Sequence, residues 1–407
     1  MKSDAVQQLL STADFRKLWG IGLLTGTMRW LEVLAIGIYT FEKTGSAFSV
    51  ALMLFARTLP GVVFGATTGA LASRYRRKHI LLLGMTLATI NSLVMLLLAN
   101  ADLLSLGAIA CGAVINGSVW TLEHPVRRTL LGDVAGGELL RQAMSLDQLT
   151  VNGTRMSGPL AGGAVYAVLG LNGTYFLSVC GFAGAALLAL LLTTNPASVA
   201  KKGEGFANLL IQGIRYIRTR RVLRGILIFT IIANFFGFSY VTMIPVIGRD
   251  LLQLEPFKIG VLQSMEGAGA VLAAILLSTT TRNLPYARSC VIGGLIFLSL
   301  LVVFALSQWF LLSCAALFIA GLGMGCFGAM QSTTLLYESE PQHRMRVMGV
   351  LVMCIGAAPA GVLITGALAD LFGASAALLA MAISGMIAAV LCLHRYPELL
   401  RRSNSGG

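Results

Sequence analysis

The sequence predicts an all-α polytopic membrane protein with about twelve transmembrane helices in two pseudo-symmetric six-helix bundles. Of its 407 residues 56% are hydrophobic and only 12% are charged, and the mean hydropathy is +0.81, far above that of a soluble domain. Apolar stretches of about 20 residues, each long enough to cross about 30 Å of hydrocarbon, recur along almost the whole chain. A shift of about 203 residues places Gly158 and Gly163 on Gly361 and Gly366, which indicates an internal repeat.

The predicted spans fall into two sets of six, separated by a basic segment. The first set is 17–40, 49–73, 79–99, 103–123, 139–169 and 175–194. The second set is 223–248, 256–281, 287–306, 309–336, 347–371 and 376–394. We therefore expect an N-terminal bundle at 1–194, a cytoplasmic linker at 195–222 and a C-terminal bundle at 223–407.

The linker combines apolar residues at helical spacing with arginines such as Arg215 and Arg218. This pattern predicts a basic amphipathic helix on the inner leaflet, with its arginines near anionic headgroups, so membrane lipids are an expected partner. A regulatory target of the calmodulin-binding type is the alternative interpretation.

The excess of positive charge is explained by membrane topology. The chain has 30 Lys and Arg against 17 Asp and Glu, a formal net charge of +13. When the spans alternate from a cytoplasmic N-terminus, 24 of these 30 cations fall on one side of the membrane, as the positive-inside rule requires. We expect a multi-pass protein of the cell inner (cytoplasmic) membrane with both termini cytoplasmic, and no nucleic-acid partner.

The sequence carries no pattern typical of an enzyme, a metal site or a cofactor site. It lacks a phosphate-binding GxxxxGK[ST] loop and a nucleophile elbow, and its four histidines are scattered near the ends of spans. Its seven cysteines lie within spans and lack ligand spacing. No signal peptide is expected, because the first apolar stretch follows Arg16 and Lys17 and is too long for a cleaved core. Any work must be driven by an ion gradient or by the gradient of a solute.

Several segments resemble a known family. Gly69–Lys78, GALASRYRRK, resembles the loop signature between the second and third helices of the major facilitator superfamily. Phe15–Trp19, Glu123–Asp133, Gln212–Arg218 and Arg344–Gly349 resemble its enterobactin-exporter-like and macrolide-efflux-like branch. The resemblance covers nearly the whole chain. It implies the major facilitator fold, a secondary active transporter working by alternating access, and a monomer.

The loop signature differs from the family pattern at Ser73, where the family has an aspartate. In the family, that aspartate is thought to lock the cytoplasmic gate at the start of the eleventh helix. We expect a weaker lock here, or a replacement in which Glu338 or Glu340 supplies the missing anion to Arg74, Arg76 or Arg77.

Gly158-Pro-Leu-Ala-Gly-Gly163 in the fifth span resembles the core of the antiporter signature of exporters. The glycines permit close helix contact and Pro159 bends the helix, which suits an interface that rocks. Thr154 occupies the position of an expected upstream glycine, so the match is partial. The motif favours export over import, although tight packing alone would also explain it.

Charged residues within spans are candidate functional residues, because they are costly to bury in a membrane. Arg29 and Glu32 are three residues apart in the first span and share a face. In one interpretation they neutralise each other. In the other, Arg29 anchors an anionic group of the substrate and Glu32 exchanges a proton for substrate.

Glu266 in the eighth span, Arg57 in the second and Arg155 in the fifth form a second group. We hypothesise a contact between Arg155 and Glu266 whose strength changes between inward-facing and outward-facing states. A permanent structural bridge is the alternative. Asp147 continues a proton route or, in the simpler interpretation, pairs with Arg141.

Uncharged residues complete the candidate site. Asn234 and Gln331 are predicted to form hydrogen bonds either with substrate or between helices. Aromatic residues are predicted to stack on an aromatic or amphipathic solute or, alternatively, to pack: Trp30, Trp120, Phe235 and Tyr240.

Together these features predict proton-coupled export of an amphipathic small molecule, either a siderophore or a drug-like compound. The expected partners are this substrate and protons. Uptake of a metabolite or ion by symport, lipid transport, and a receptor that transports nothing remain alternatives.

Overall fold

The predicted all-α architecture is confirmed in the part of the chain that the structure describes. A computed structural model describes residues 2–74, 76–193, 206–279 and 285–400. Across these ranges the regular elements are helices, and strands are absent. The helices are α1 (Lys2–Ser11), α2 (Ala13–Thr44), α3 (Ala47–Arg74), α4 (Arg77–Asn100), α5 (Leu106–Leu190), α6 (Phe206–Thr219), α7 (Arg221–Ile232), α8 (Tyr240–Asp250), α9 (Pro256–Thr279), α10 (Tyr286–Leu306), α11 (Phe310–Tyr337), α12 (Arg344–Ile355), α13 (Ala358–Phe372) and α14 (Ala374–Arg395).

Helix α5 contains three predicted spans joined without an intervening loop. Its 85 residues include two glycines with left-handed backbone, Gly136 at φ 70° and Gly170 at φ 63°. A side chain disfavours this conformation, so glycine allows the chain to change direction at these points. Within the described residues, eleven helical segments are long and apolar enough to cross a membrane, and one of them is the 49-residue segment Gln142–Leu190. Because Gly170 divides that segment, the structure agrees with the predicted number of about twelve.

The seventh predicted span contains a local irregularity. Its two helices, α7 and α8, are joined by a π-helical turn at Ala233–Gly237. The carbonyl group of Phe235 in this turn lies so close to Gly361 of α13 that a Cβ atom at position 361 would collide with it. The π turn therefore brings the backbone of the seventh span into contact with the eleventh span. Such turns are frequent at functional sites.

Contacts divide the chain into two units. One comprises Met1–Thr44, Met53–Gly203 and Leu254–Ser264, and the other comprises Gly45–Leu52, Glu204–Gln253 and Met265–Gly407. The first is unit 1 and the second is unit 2. The bundle and linker boundaries predicted from the sequence stay a prediction.

The internal repeat has a counterpart in helix packing. In unit 1, Gly117 of α5 lies against the backbone carbonyl of Arg57 in α3. In unit 2, Gly321 of α11 lies against the backbone carbonyl of Glu266 in α9. In both cases glycine lets two helix backbones meet. Arg57 and Glu266, the charged residues of the second and eighth spans, are therefore equivalent in their packing.

This close approach predicts opposite effects for two glycines of α11. Gly321→Ala should destabilise the protein by about 1–3 kcal/mol, because the new Cβ has to displace the backbone of α9. Gly328→Ala is the matched control, since no heavy atom lies within 4 Å of a Cβ at that position. It should stabilise the helix by about 0.5–1 kcal/mol. Thermal unfolding of the purified variants in detergent measures both, and equal effects would contradict the packing argument.

The linker helix α6 packs within unit 2. Gly213 faces the backbone of Arg346 in α12, and the ring of Tyr216 stacks on His343 with their centroids 4.1 Å apart. Arg220 forms an ion pair with Glu340 at 2.5 Å. The predicted linker helix is therefore present and is anchored to the start of the eleventh span, whereas its contact with lipid stays a prediction.

Candidate functional site

Glu32 is the centre of a polar cluster inside unit 1. Its side chain is fully buried, and its Oε2 accepts hydrogen bonds from Arg57 Nη1 at 3.1 Å and Asn116 Nδ2 at 2.9 Å. Ser92 Oγ donates to Oε1 at 3.2 Å. Four helices, α2 to α5, thus each contribute one member. The buried carboxylate therefore has one cation and two neutral hydrogen-bond donors as partners, and its interaction with Arg57 is charge-assisted.

The geometry of this cluster follows from the glycine beside Asn116. Because Gly117 carries no side chain, α5 approaches the backbone of α3 at Arg57. The guanidinium of Arg57 and the amide of Asn116 therefore reach the same oxygen of Glu32. The alternative in which Arg29 neutralises Glu32 is not the arrangement found, since Glu32 pairs with Arg57.

Arg29 contacts aromatic rings instead. Its Cζ lies 3.8 Å from the ring centroid of Trp120 in α5 and 5.5 Å from that of Trp30. Arg155 Cζ lies 5.4 Å from the centroid of Trp30, and the ring of His124 lies 5.3 Å from that of Trp120. Cations and aromatic rings therefore alternate along α2 and two segments of α5, an arrangement that cation–π attraction favours.

The predicted antiporter-like motif, Gly158–Gly163, positions Arg155 beside Trp30. A Cβ at Gly158 would lie 2.6 Å from Cβ of Trp30, and one at Gly162 would lie 2.9 Å from the carbonyl oxygen of Leu31. Helix α5 therefore packs directly against α2, which brings Arg155 over Trp30. The same motif also meets α9, since a Cβ at Gly260 of that helix would lie 2.5 Å from the carbonyl oxygen of Pro159. The glycines serve close packing, and the role of the motif in gating stays a prediction.

A second network of buried charges adjoins the first. Arg127 Nε donates to Glu123 Oε1 at 2.6 Å, and Arg127 Nη1 donates to Asp147 Oδ1 at 2.6 Å. Arg128 Nε lies 2.9 Å from the other oxygen of Asp147. Glu123, Arg127 and Asp147 are each at most 3% exposed, whereas the side chain of Arg128 is 34% exposed. The network therefore leads from the interior of unit 1 toward its surface.

A small pocket is lined by residues of both networks. Its polar wall includes Arg29, Arg57, Asn116 and Glu123. The rest of its lining is apolar and consists of Met85, Ala88, Val119, Trp120 and Phe182. A small cavity with an apolar wall and a few convergent polar groups has the general composition of a ligand site.

The predicted residues of unit 2 make internal contacts. Asn234 Nδ2 donates to the carbonyl oxygen of Thr230 at 2.9 Å, one turn earlier in the chain. Gln331 Nε2 donates to the hydroxyl of Thr230 and so connects α11 with α7. These bonds match the helix-to-helix alternative for Gln331. The substrate roles of both residues stay predictions.

The other residues predicted in unit 2 are closely packed. Phe235 meets the ring of Phe236 edge to face at 4.9 Å, and Tyr240, only 2% exposed, meets Phe297 at 5.7 Å. Glu266 is 1% exposed. The predicted contact of Glu266 with Arg155 stays a prediction.

The structure describes some of the predicted gating residues. The side chains of Ser73 and Arg74 lie outside the described residues. Arg77 forms an ion pair with Asp133 at 2.5 Å. Glu338 is exposed at the C-terminus of α11. The proposed replacement of the missing aspartate by Glu338 or Glu340 stays a prediction.

Sequence reasoning missed the neutral donors Ser92 and Asn116 and the central role of Arg127. Asn116 could have been found from the sequence, because it is a polar residue inside the fourth predicted span. Glu123 and Arg127 are four residues apart, which places them on one helix face. Asp147 was recognised; its partners among the described residues are Arg127 and Arg128, and the side chain of Arg141, its predicted partner, lies outside them.

The helical spans and the charged cavity define a polytopic membrane protein of the transporter class. The chain matches the family described as transmembrane secretion effector over residues 8–404, so it belongs to that family of the major facilitator superfamily. This confirms the predicted fold, the transporter class and the efflux-like branch. The family and its relatives are transporters rather than enzymes.

Three curated relatives match most of the chain. The staphyloferrin A transporter of Staphylococcus aureus (strain NCTC 8325 / PS 47) is 22% identical, covering 84% of this chain and 86% of its own. The multidrug efflux pump Tap of Mycolicibacterium fortuitum is 23% identical, covering 91% and 93%. Macrolide efflux protein A of Streptococcus pyogenes is 21% identical, covering 88% and 90%.

Solved structures show the same fold at low sequence identity. The nucleoside transporter NupG superposes with a TM-score of 0.75 at 12% identity, covering 94% of this chain and 98% of its own. A bacterial homologue of the human lysosomal transporter Spinster superposes with a TM-score of 0.73 at 14% identity, covering 96% of each chain.

Proposed function

We propose that this protein exports an amphipathic small molecule in exchange for protons by alternating access. The observation that supports this most is the carboxylate of Glu32, which is fully buried beside a cavity with polar and apolar walls. A carboxylate in this position changes its interactions when it gains or loses a proton, so its protonation can favour one conformation over another.

The relatives support the direction and the kind of substrate. Two of them are named as efflux proteins, for several drugs and for macrolides, and one as a transporter of staphyloferrin A. The apolar wall of the cavity suits the amphipathic solutes predicted from the sequence. The protein then acts as a monomer in the cytoplasmic membrane, with both termini in the cytoplasm.

Transport in proteoliposomes tests the proposal. We expect saturable exchange of radiolabelled staphyloferrin A or erythromycin, accelerated by an imposed pH gradient and slowed by a protonophore. Exchange without any effect of the gradient would contradict proton coupling. Absence of exchange for both solutes, in a preparation that unfolds cooperatively, would contradict the proposed substrate class.

Glu42→Gln provides a control for carboxylate variants in these assays. Glu42 lies in the same helix as Glu32 but is exposed, and its Oε2 accepts a hydrogen bond from the hydroxyl of Tyr166 at 2.6 Å. Because it is outside the cavity, its replacement should leave the response to the pH gradient unchanged.

A further inference from the structure

The arrangement around Arg29 covers one face of its guanidinium and leaves the edge of the group available. The short distance of 3.8 Å between Cζ and the Trp120 centroid means that the ring covers the face of the cation. The five N–H donors of a guanidinium point outward in its plane, so stacking does not satisfy them. Among the described residues, Arg29 forms neither a hydrogen bond nor an ion pair with a side chain or backbone group.

The neighbouring carboxylates are already matched by other cations. Glu32 is held by Arg57, and Glu123 is held by Arg127. Asp147 is shared by Arg127 and Arg128. These three carboxylates and three arginines balance in formal charge, and the positive charge of Arg29 is additional to them. A cation that is largely withdrawn from water and lacks an anion is unfavourable, so the cavity favours an incoming anion.

The cavity also determines what the anion must be attached to. Trp120, Val119 and Phe182 line it together with Arg29. A ligand that brings an oxyanion to the edge of Arg29 therefore places its remaining atoms against aromatic and aliphatic side chains. A planar carboxylate matches the fork of a guanidinium through two parallel hydrogen bonds.

We infer that the transported solute is an organic carboxylate with an adjoining apolar or aromatic portion, and that Arg29 binds its carboxylate edge-on while Trp120 fixes the plane of the guanidinium. This inference rests on the proposed function and specifies its substrate class. Cationic amphiphiles are disfavoured at the site, because Arg29 and Arg57 both line the cavity. Trp120 is a positioning residue that acts through Arg29.

Binding of 2-naphthoate to the protein in neutral phosphatidylcholine nanodiscs tests this inference. The matched probes are 2-naphthamide, which has nearly the same shape without the charge, and 2-naphthylmethylammonium. We expect saturable binding of 2-naphthoate above empty nanodiscs, about 10- to 100-fold weaker binding of the amide because it lacks a charge-assisted hydrogen-bonded pair, and no competition by the ammonium compound. Equal affinities for acid and amide would overturn the inference without any variant being needed.

Substitutions at position 29 test whether Arg29 causes the preference for the acid over the amide. Arg29→Met should reduce the affinity for 2-naphthoate to that for the amide, and Arg29→Lys should give an intermediate preference because it keeps the charge but loses the fork. Arg16→Met is the control, since Arg16 lies in the same helix but binds the carbonyl oxygens of Leu10 and Ser11. An unchanged preference in Arg29→Met would overturn the assignment. Trp120→Leu should lower the acid-to-amide ratio, because the plane of the guanidinium is no longer fixed, whereas a loss of packing alone would lower both affinities equally and leave the ratio unchanged.

Three further outcomes separate this inference from others. If dihexanoylphosphatidic acid displaces 2-naphthoate more effectively than unlabelled 2-naphthoate does, the site prefers a lipid phosphate and the carboxylate assignment is wrong. If the acid preference is absent while pH-driven exchange of staphyloferrin A or erythromycin persists, the substrate class fails and the proposed export stands. If the acid preference is present but exchange does not respond to pH, the anion site stands and proton coupling fails.

Discussion

Replacing Arg127 by Met should destabilise the protein by about 3–5 kcal/mol, because it leaves the buried carboxylate of Glu123 without its ion-pair partner and leaves Asp147 with Arg128 alone. Arg127 holds Glu123 and Asp147 with hydrogen bonds of 2.6 Å each, and all three side chains are nearly inaccessible to water. Removing the cation leaves Asp147 with Arg128 and leaves Glu123 without its ion-pair partner. The midpoint of thermal unfolding in detergent measures the loss.

Arg128→Met is the matched control for this prediction. It removes a second arginine from Asp147, but its side chain is 34% exposed and Arg127 still holds both carboxylates. Its cost should be below about 1 kcal/mol, as for a partly solvated ion pair. The triple variant Glu123→Gln, Asp147→Asn, Arg127→Met should recover much of the stability lost in Arg127→Met. Equal losses for the two arginine variants would mean that burial of the carboxylates is not what makes Arg127 important.

The fold was predictable because hydropathy and length report directly on membrane-spanning helices. The joined helix α5 shows where this reasoning ends. Hydropathy separated its three spans, but the short turns between them depend on the left-handed backbone of Gly136 and Gly170. A glycine in a sequence permits a left-handed conformation without requiring it.

The buried charges Glu32 and Arg57 of the candidate site were predictable, but their pairing and their neutral partners were not. Spacing placed Arg29 and Glu32 on one face of α2 and predicted that they either neutralise each other or bind substrate and a proton. The partner of Glu32 comes from α3 because Gly117 admits the backbone of that helix. Spacing along one helix describes local neighbours, whereas pairing between helices depends on packing at residues that carry no charge.

Replacing Arg57 by Met should also cost about 3–5 kcal/mol, and restoring neutrality should recover most of it. Arg57 is the only cation within hydrogen-bond distance of Glu32 among the described residues, at 3.1 Å, and its loss leaves a fully buried carboxylate with two neutral donors. In the double variant Glu32→Gln, Arg57→Met, the glutamine needs no counterion and remains within reach of Asn116 and Ser92. Unfolding in a double-mutant cycle measures the coupling between the two sites.

Arg29→Met is the internal control for stability, since Arg29 lines the same cavity without holding a carboxylate among the described residues. Its cost should be smaller than that of Arg57→Met, because no buried anion is stranded. If the two variants are equally destabilised, the loss reflects general packing of arginine stems rather than the ion pair.

The same double variant separates stability from proton coupling. Because Gln cannot be ionised, the rescued protein should still exchange labelled solute but should no longer respond to an imposed pH gradient, whereas Glu42→Gln should respond normally. Exchange tests substrate binding and conformational cycling, and the gradient tests whether a proton takes part. A full response in the rescued double variant would show that the coupling proton binds elsewhere, and the buried carboxylates Glu123 and Glu266 would then be the next positions to neutralise.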